Sequence, residues 1–244
     1  MGFETAVADG VLRLRRPDTR WLSTGWDGGF ADAPAAYNVS VPEGWERTDL
    51  DTYAADRLAD AGFAGGGRAP VLLTGVDMPH ARVARSGSVI AVATAGVSNP
   101  AALPMEANPD DAAASAPETD AERDGVGRGT VNVLVATTRR LDDGALANLV
   151  AVTAEAKAAT LLAATGFPGT TTDAVVVGSA RDGEPTTFSG SATPVGSAAR
   201  ACVRDAVRAS LESRYAAGDV ALPDSVADAE HGVVTDRETE VTRL

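Results

Sequence analysis

Apolar positions between residues 129 and 180 fall into three blocks. Val131–Thr137 and Ala174–Gly178 are short runs rich in β-branched residues, and a long Ala/Leu/Val segment separates them. Asp142 stands where that segment needs an N-cap, and Gly166 followed by Pro168 closes it. Strand, helix and strand in that order form a βαβ unit, whose strands are expected to be parallel with a right-handed crossover. Upstream, the pattern predicts strands at Val11–Arg15, Arg20–Thr24, Ala36–Val41, Pro70–Gly75, Ala81–Arg85 and Val89–Ala95. A moderately amphipathic helix is expected from Asp49 to Ala61, capped by Asp49 or Thr48, with a flexible loop at Gly65–Gly67. Downstream, Thr187–Ser191 reads as a short edge strand. Thr193-Pro194 then caps a helix in which Val195, Ala199, Cys202, Val203, Ala206, Val207 and Leu211 recur at helical spacing. The expected fold class is α+β: a mixed, mostly antiparallel sheet with the βαβ pair at its centre. The helices starting at Asp142 and Pro194 should cover one face.

Composition changes abruptly after Leu103. Residues 105–128 are Ala, Asp, Glu, Pro and Ser with little periodicity, which reads as a solvated acidic insert. Periodicity fades again after residue 218, so one domain is expected over 1–218, with an acidic flexible tail at 219–244.

Charge sharpens the reading of the central unit. Between Gly144 and Ala180 the only acids or bases are Glu155, Lys157 and Asp173. A helix apolar nearly all round is expected to be buried, so charges on it must be paired or face a cavity. Lys157 is also the only lysine in the chain, against twenty arginines. An amine retained alone suits a tight site that a planar guanidinium cannot enter; alternatively, its stem snorkels to the helix edge.

The net charge of −13 argues against nucleic acid as a partner. Excess Asp with almost no Lys is the surface expected of a protein kept soluble in concentrated salt. A membrane span needs roughly 18 apolar residues, and no run here approaches that. The opening MGFETAVADG has no basic region or apolar run, so a cytoplasmic protein without a membrane partner is expected. Cys202 falls on an apolar stripe and reads as a small buried hydrophobe.

Ser23–Gly29 (STGWDGG) packs three glycines beside two hydroxyls and Asp27. It is either an ordinary hairpin turn or one whose backbone N–H groups approach a ligand closely. Asn38 lies inside a strand, facing either water or a partner. Asp77 and His80 follow a strand end, where His80 reads as a polar loop residue. His231 lies in the tail, and no HExxH or CxxC pattern exists, so no metal is expected. Arg200, Arg204 and Arg208 read as a solvated stripe on one helix face.

Several of these segments together resemble one family. STGWDGG, Asn38, LLTGVDM (Leu72–Met78), TAGVSN (Thr94–Asn99), GTVNV (129–133), TAEAK (Thr153–Lys157), GTTTD (Gly169–Asp173) and FSGSATPVG (Phe188–Gly196) look like adenosylcobinamide amidohydrolases. The resemblance spans roughly residues 10 to 215, with Thr171 standing where a second glycine is expected and Ala154 splitting Thr153 from Glu155. It implies a corrinoid-salvage enzyme that hydrolyses the aminopropanol amide of adenosylcobinamide, giving adenosylcobyric acid. The corrinoid is then substrate; no cofactor is firmly implied, and a homo-oligomer is left open. The motifs imply substrate-binding residues Ser23, Thr24, Asp27, Gly28, Gly29, Asn38, Thr74, Asp77 and Thr172.

Amide hydrolysis needs an activated nucleophile, an oxyanion site and a proton for the departing amine. No GxSxG elbow is present. Water activated by Glu155 or Asp173 is therefore expected, with Lys157 stabilising charge or protonating the amine. Asn132, Thr130 or the glycine N–H groups would hold the oxyanion. Alternatively, Ser23 or Thr130 is a covalent nucleophile with Lys157 as its base. A corrinoid carrier without hydrolysis is a competing function, and an amidase for small acyl amides a third.

Overall fold

The structure, a computed structural model, describes residues 2–42, 49–63, 68–105, 130–216, 218 and 220–243. The Gly65–Gly67 loop and the insert expected at 105–128, except Met105, lie outside the described residues.

An antiparallel hairpin opens the chain: β1 (Glu4–Ala8) and β2 (Val11–Ser23), turned by Asp9 and Gly10 at φ 46° and 73°. Asp-Gly with both residues left-handed is the tight turn that matches strand twist. The apolar alternation missed β1 because its residues are mostly exposed. It also divided β2 into two strands. They are one, with a register shift between Arg15 and Thr19 where Pro17 offers no N–H to the ladder. β3 (Gly29–Ser40) returns antiparallel to β2, and helix α1 (Leu50–Asp60) crosses to β4 (Val71–Thr74), parallel to β3.

A hairpin of β5 (Arg82–Ser86) and β6 (Val89–Ala95) leads to β7 (Pro100–Ala102). The central unit is β8 (Val131–Thr137), β9 (Arg140–Leu141), α2 (Asp143–Thr165), β10 (Gly169–Thr170) and β11 (Ala174–Ala180). β12 (Pro185–Thr186), α3 (Pro194–Tyr215) and β13 (Val233–Val234) follow. The edge strand expected at Thr187–Ser191 is β12 instead. Ser189 leaves the strand to donate to the Ala145 carbonyl at 2.6 Å, holding the chain against the first turn of α2.

The fold is α+β. The main sheet runs β4-β3-β2-β11-β8-β6-β5, with β1 added to β2. β8 and β11 pair in parallel near its middle, and most other pairings are antiparallel. Val131, Val133, Val135, Val175 and Val177 point to one face, where Leu146, Leu149 and Leu161 of α2 and Val203 and Val207 of α3 cover them. The alternate residues Leu134 and Val176 join Trp21, Leu12, Leu14 and Ile90 in a second core. A Cβ at Gly178 would lie 2.4 Å from the buried Trp21 ring, so the indole fits against the strand only because that residue is glycine. The sheet rolls until β3 and β4 face β6 and β8: Asn38 donates to Thr94 Oγ1 at 2.9 Å, and Asn132 to the Leu73 carbonyl at 2.8 Å.

Both long helices begin as their residues dictate. Asp142 Oδ1 accepts the Ala145 N–H at 2.8 Å, Thr193 Oγ1 accepts the Gly196 N–H at 3.0 Å, and Gly166 closes α2 at φ 81°. Two expectations for α2 need correcting. By length and composition it is apolar enough to cross a membrane. Nor is it buried all round: one face packs on the sheet, while Ala151, Ala159, Ala163 and Ala164 are exposed. Alanine's small apolar surface tolerates water at little cost, so apolar composition overstates burial.

The stretch after 218, read as a flexible acidic tail, includes packed residues. β13 pairs in parallel with β7, which also pairs with β10, and Val226 and Val234 are buried against the α2–α3 core. Three or four apolar side chains clip an otherwise polar segment, too few to make a periodic signal. Cys202 is buried, and burial pushes its thiol up, as expected of a packing residue.

Candidate active site

Asp173 ends the turn before β11 and is held by four donors. Its Oδ1 accepts the Val131 N–H at 3.0 Å and the Thr170 hydroxyl; its Oδ2 accepts the Thr170 N–H at 3.1 Å and the Lys157 ammonium. A carboxylate offers about four lone-pair sites, so none is idle. Lys157 and Asp173 side chains are 10% and 12% exposed. The pair is thus nearly withdrawn from water but keeps an opening.

Topology makes this contact. The C-terminal half of α2 returns to the end of the sheet where β8 and β11 begin, bringing Lys157 over Asp173. Next to the pair, the hydroxyls of Thr130 and Thr172 lie 2.9 Å apart. Thr153, one helical turn before Lys157, is fully buried with a hydroxyl that has no partner.

Glu155 does not join them. It is paired with Arg200 at 2.6 Å on the outer side of α2, its side chain 65% exposed. Two residues along a helix are separated by about 200° of rotation, so Glu155 and Lys157 face nearly opposite ways. Of the three charges on the central unit, Lys157 and Asp173 pair with each other, and Glu155 pairs with Arg200 instead.

The glycine turn lies at the same end of the sheet. Thr24 exchanges hydrogen bonds with Val175: its hydroxyl accepts the Val175 N–H at 2.9 Å, and its N–H donates to the Val175 carbonyl at 2.9 Å. A Cβ at Gly25 would fall 3.8 Å from that of Ala174, the neighbour of Asp173. Ser23 Oγ accepts the Gly25 N–H at 3.2 Å. Asp27 is left-handed at φ 48° and pairs with Arg68. Between this turn and α1 opens a cavity of about 390 Å³ lined by Ser23, Trp26, Gly28, Phe30, Asp51 and Tyr37, among others. Burial pushes the Tyr37 phenol up, which keeps it a neutral hydroxyl.

Asn38 and Asn132 form an interior amide ladder. Asn132 donates to Asn38 Oδ1 at 2.9 Å, and its own Oδ1 is buried without a partner. Thr74 is buried and accepts the Val76 N–H at 3.1 Å, shaping the strand end. Asp77 is exposed beyond that turn. His80 Nδ1 lies 3.1 Å from Ser213 Oγ, as a polar loop residue would. Among the described residues, no group of three or more His, Cys, Asp or Glu side chains is placed to hold a metal ion.

The family model for adenosylcobinamide amidohydrolases matches residues 3–219. The chain belongs to that family. An adenosylcobinamide amidohydrolase from Halobacterium salinarum is 58% identical over 241 residues, covering 99% of each chain. One from Methanosarcina mazei is 26% identical over 81% of this chain and 92% of its own. A solved structure from Pyrococcus horikoshii aligns over 85% of this chain and 78% of its own at 14% identity, with a TM-score of 0.40.

For an amidohydrolase, the residue the motifs left unassigned is Thr170. It sits within GTTTD, and its hydroxyl and N–H together fix both oxygens of Asp173. Its signal in the sequence was its position three residues before an aspartate, the spacing at which a side chain closes back on backbone. The arginine stripe is fully matched by carboxylates: Arg200 to Glu155, Arg204 to Asp205, Arg208 to Glu212. Glu155→Gln is accordingly expected to keep turnover within about twofold and stability within about 0.5 kcal/mol, as for exposed pairs. Steady-state rates and a melting curve check this; a loss of tenfold or more would return Glu155 to the chemistry.

Proposed function

We infer that the chain hydrolyses the amide linking aminopropanol to adenosylcobinamide, and that Lys157 and Asp173 carry the reaction as a unit. The supporting observation is that the chain's one lysine is clamped, almost dry, on a carboxylate inside two of the motifs that carry the family resemblance. Water attacks the amide carbonyl carbon, the C–N bond breaks, and the water's proton must end on the departing nitrogen. Lys157 stabilises the tetrahedral oxyanion and gives its proton to that nitrogen. With four donors on its oxygens, Asp173 has no free lone pair until Lys157 releases its proton. In one step the Lys157 proton passes to the amide nitrogen while the attacking water gives its proton to the Asp173 oxygen so freed. Asp173 then returns that proton to Lys157, restoring the pair and leaving adenosylcobyric acid and aminopropanol. The Thr130–Thr172 hydroxyl pair supplies a polar wall next to the reacting carbonyl.

The test is direct. Purified protein incubated with adenosylcobinamide is expected to release aminopropanol; absence of release ends the reading. Hydroxylamine distinguishes the nucleophiles: a trapped corrinoid hydroxamate would replace water with an enzyme hydroxyl, Ser23 or Thr130.

The net charge of −13, together with the Halobacterium relative, supports a protein working in the cytoplasm of a salt-rich cell. Self-repulsion of an acidic surface is screened over about 3 Å at 1 M salt, against about 10 Å at 0.1 M. The melting temperature is expected to rise by about 10 °C or more between those concentrations of KCl, read by circular dichroism. A flat profile would remove the halophilic reading.

A further inference from the structure

We propose that the cavity between the glycine turn and α1 is the pocket for the adenosyl group of the substrate. The proposal rests on the amidohydrolase reading and adds where the upper ligand sits. Four of the chain's eleven aromatic residues, Trp26, Phe30, Tyr37 and Phe63, line this one cavity. Trp26 and Phe30 are 39% and 47% exposed and share one cavity, which sets them apart from an exposed aromatic such as Phe188 that lines no part of it. Arg20 stacks on the Phe30 ring, 4.6 Å from guanidinium carbon to centroid.

Size decides which part of the substrate enters. At about 390 Å³ the cavity is near the small end of the range for ligand pockets, about 300–1,000 Å³. A purine nucleoside fits such a volume, and a corrin macrocycle with its side chains does not. Exposed aromatic faces bind a flat heteroaromatic ring by stacking. The lining carboxylates Asp27 and Asp51 suit the donors of an adenine amino group and ribose hydroxyls.

Position agrees with this assignment. The turn that forms one wall is hydrogen-bonded to Val175 through Thr24, two residues from Asp173. The corrin ring would therefore lie across the turn, its axial adenosyl group in the cavity and its aminopropanol arm at Lys157. Asp27, left-handed at φ 48°, and Gly29 at φ 104° build the tight bend that leaves Trp26 outward.

The probe is 5′-deoxyadenosine. It is expected to quench tryptophan fluorescence of the wild type and to inhibit adenosylcobinamide hydrolysis competitively. Trp26→Ala should weaken its binding about tenfold or more, as loss of one stacking partner does, while Trp26→Phe keeps most of it. With adenosylcobinamide, Trp26→Ala should raise KM by a similar factor at little change in kcat. Two results overturn the proposal: no competition by 5′-deoxyadenosine in the wild type, or unchanged inhibition in Trp26→Ala with an unchanged melting temperature. If the wild type releases no aminopropanol, the activity reading fails instead, and fluorescence titration of the same two proteins still decides the pocket.

Discussion

Lys157→Met is expected to cut turnover by about 10² to 10⁴, the range for a lost acid–base group. It should also cost about 3–5 kcal/mol of stability, because it leaves a nearly dry carboxylate without its countercharge. The two effects separate in the double variant Lys157→Met/Asp173→Asn. The amide oxygen can still accept from two of the four donors that now converge on Asp173, so part of the stability returns while activity does not. Lys157→Arg should fail to restore turnover. A guanidinium keeps its proton at working pH, so it can pair with Asp173 but cannot hand a proton to the departing nitrogen. Turnover retained in Lys157→Met would remove the pair from the mechanism, whatever happened to stability.

The second large effect is expected at Gly28. A Cβ there would meet the Ser23 carbonyl oxygen at 2.5 Å and that of Gly25 at 2.7 Å. These are backbone atoms, so the whole turn must open for Gly28→Ala. A loss of about 1–3 kcal/mol is expected from overpacking, together with a KM for adenosylcobinamide raised about tenfold or more. Gly144→Ala is the matched control. Its Cβ would come no closer than 3.6 Å to Asp142 Oδ1, and it lies in the first turn of α2. Alanine in a helix should stabilise by up to about 1 kcal/mol with no change in KM. Equal melting temperatures and equal KM values for the two variants would show that the turn is not shaped by crowding at Gly28.

Much of the scaffold was legible from local chemistry. The βαβ unit, the caps at Asp142 and Thr193, the stop at Gly166 and strands β6 and β8 each rest on residues adjacent in the chain. The errors have physical causes of their own. β1 carries little apolar alternation because its side chains are largely in water. α2 looked buried all round because alanine counts as apolar yet tolerates exposure. Glu155 looked functional because a charge in an apolar run is conspicuous, whereas its direction depends on helical rotation and on Arg200, 45 residues away.

Lys157, Asp173 and the glycine turn stood out as candidates from composition and motif before any geometry was known. Only the crossover of α2 brings Lys157 onto Asp173, and only the rolling of the sheet brings Asn38 to Thr94 and Asn132 to the Leu73 carbonyl. Residue type and spacing determine which groups can do chemistry and which segments are helix or strand, since those preferences act over a few residues. Which groups share a cleft is decided by packing between segments far apart in the chain. Trp26, inside the glycine-rich turn, and Phe30, at the start of β3, become walls of one cavity only because α1 supplies its other side.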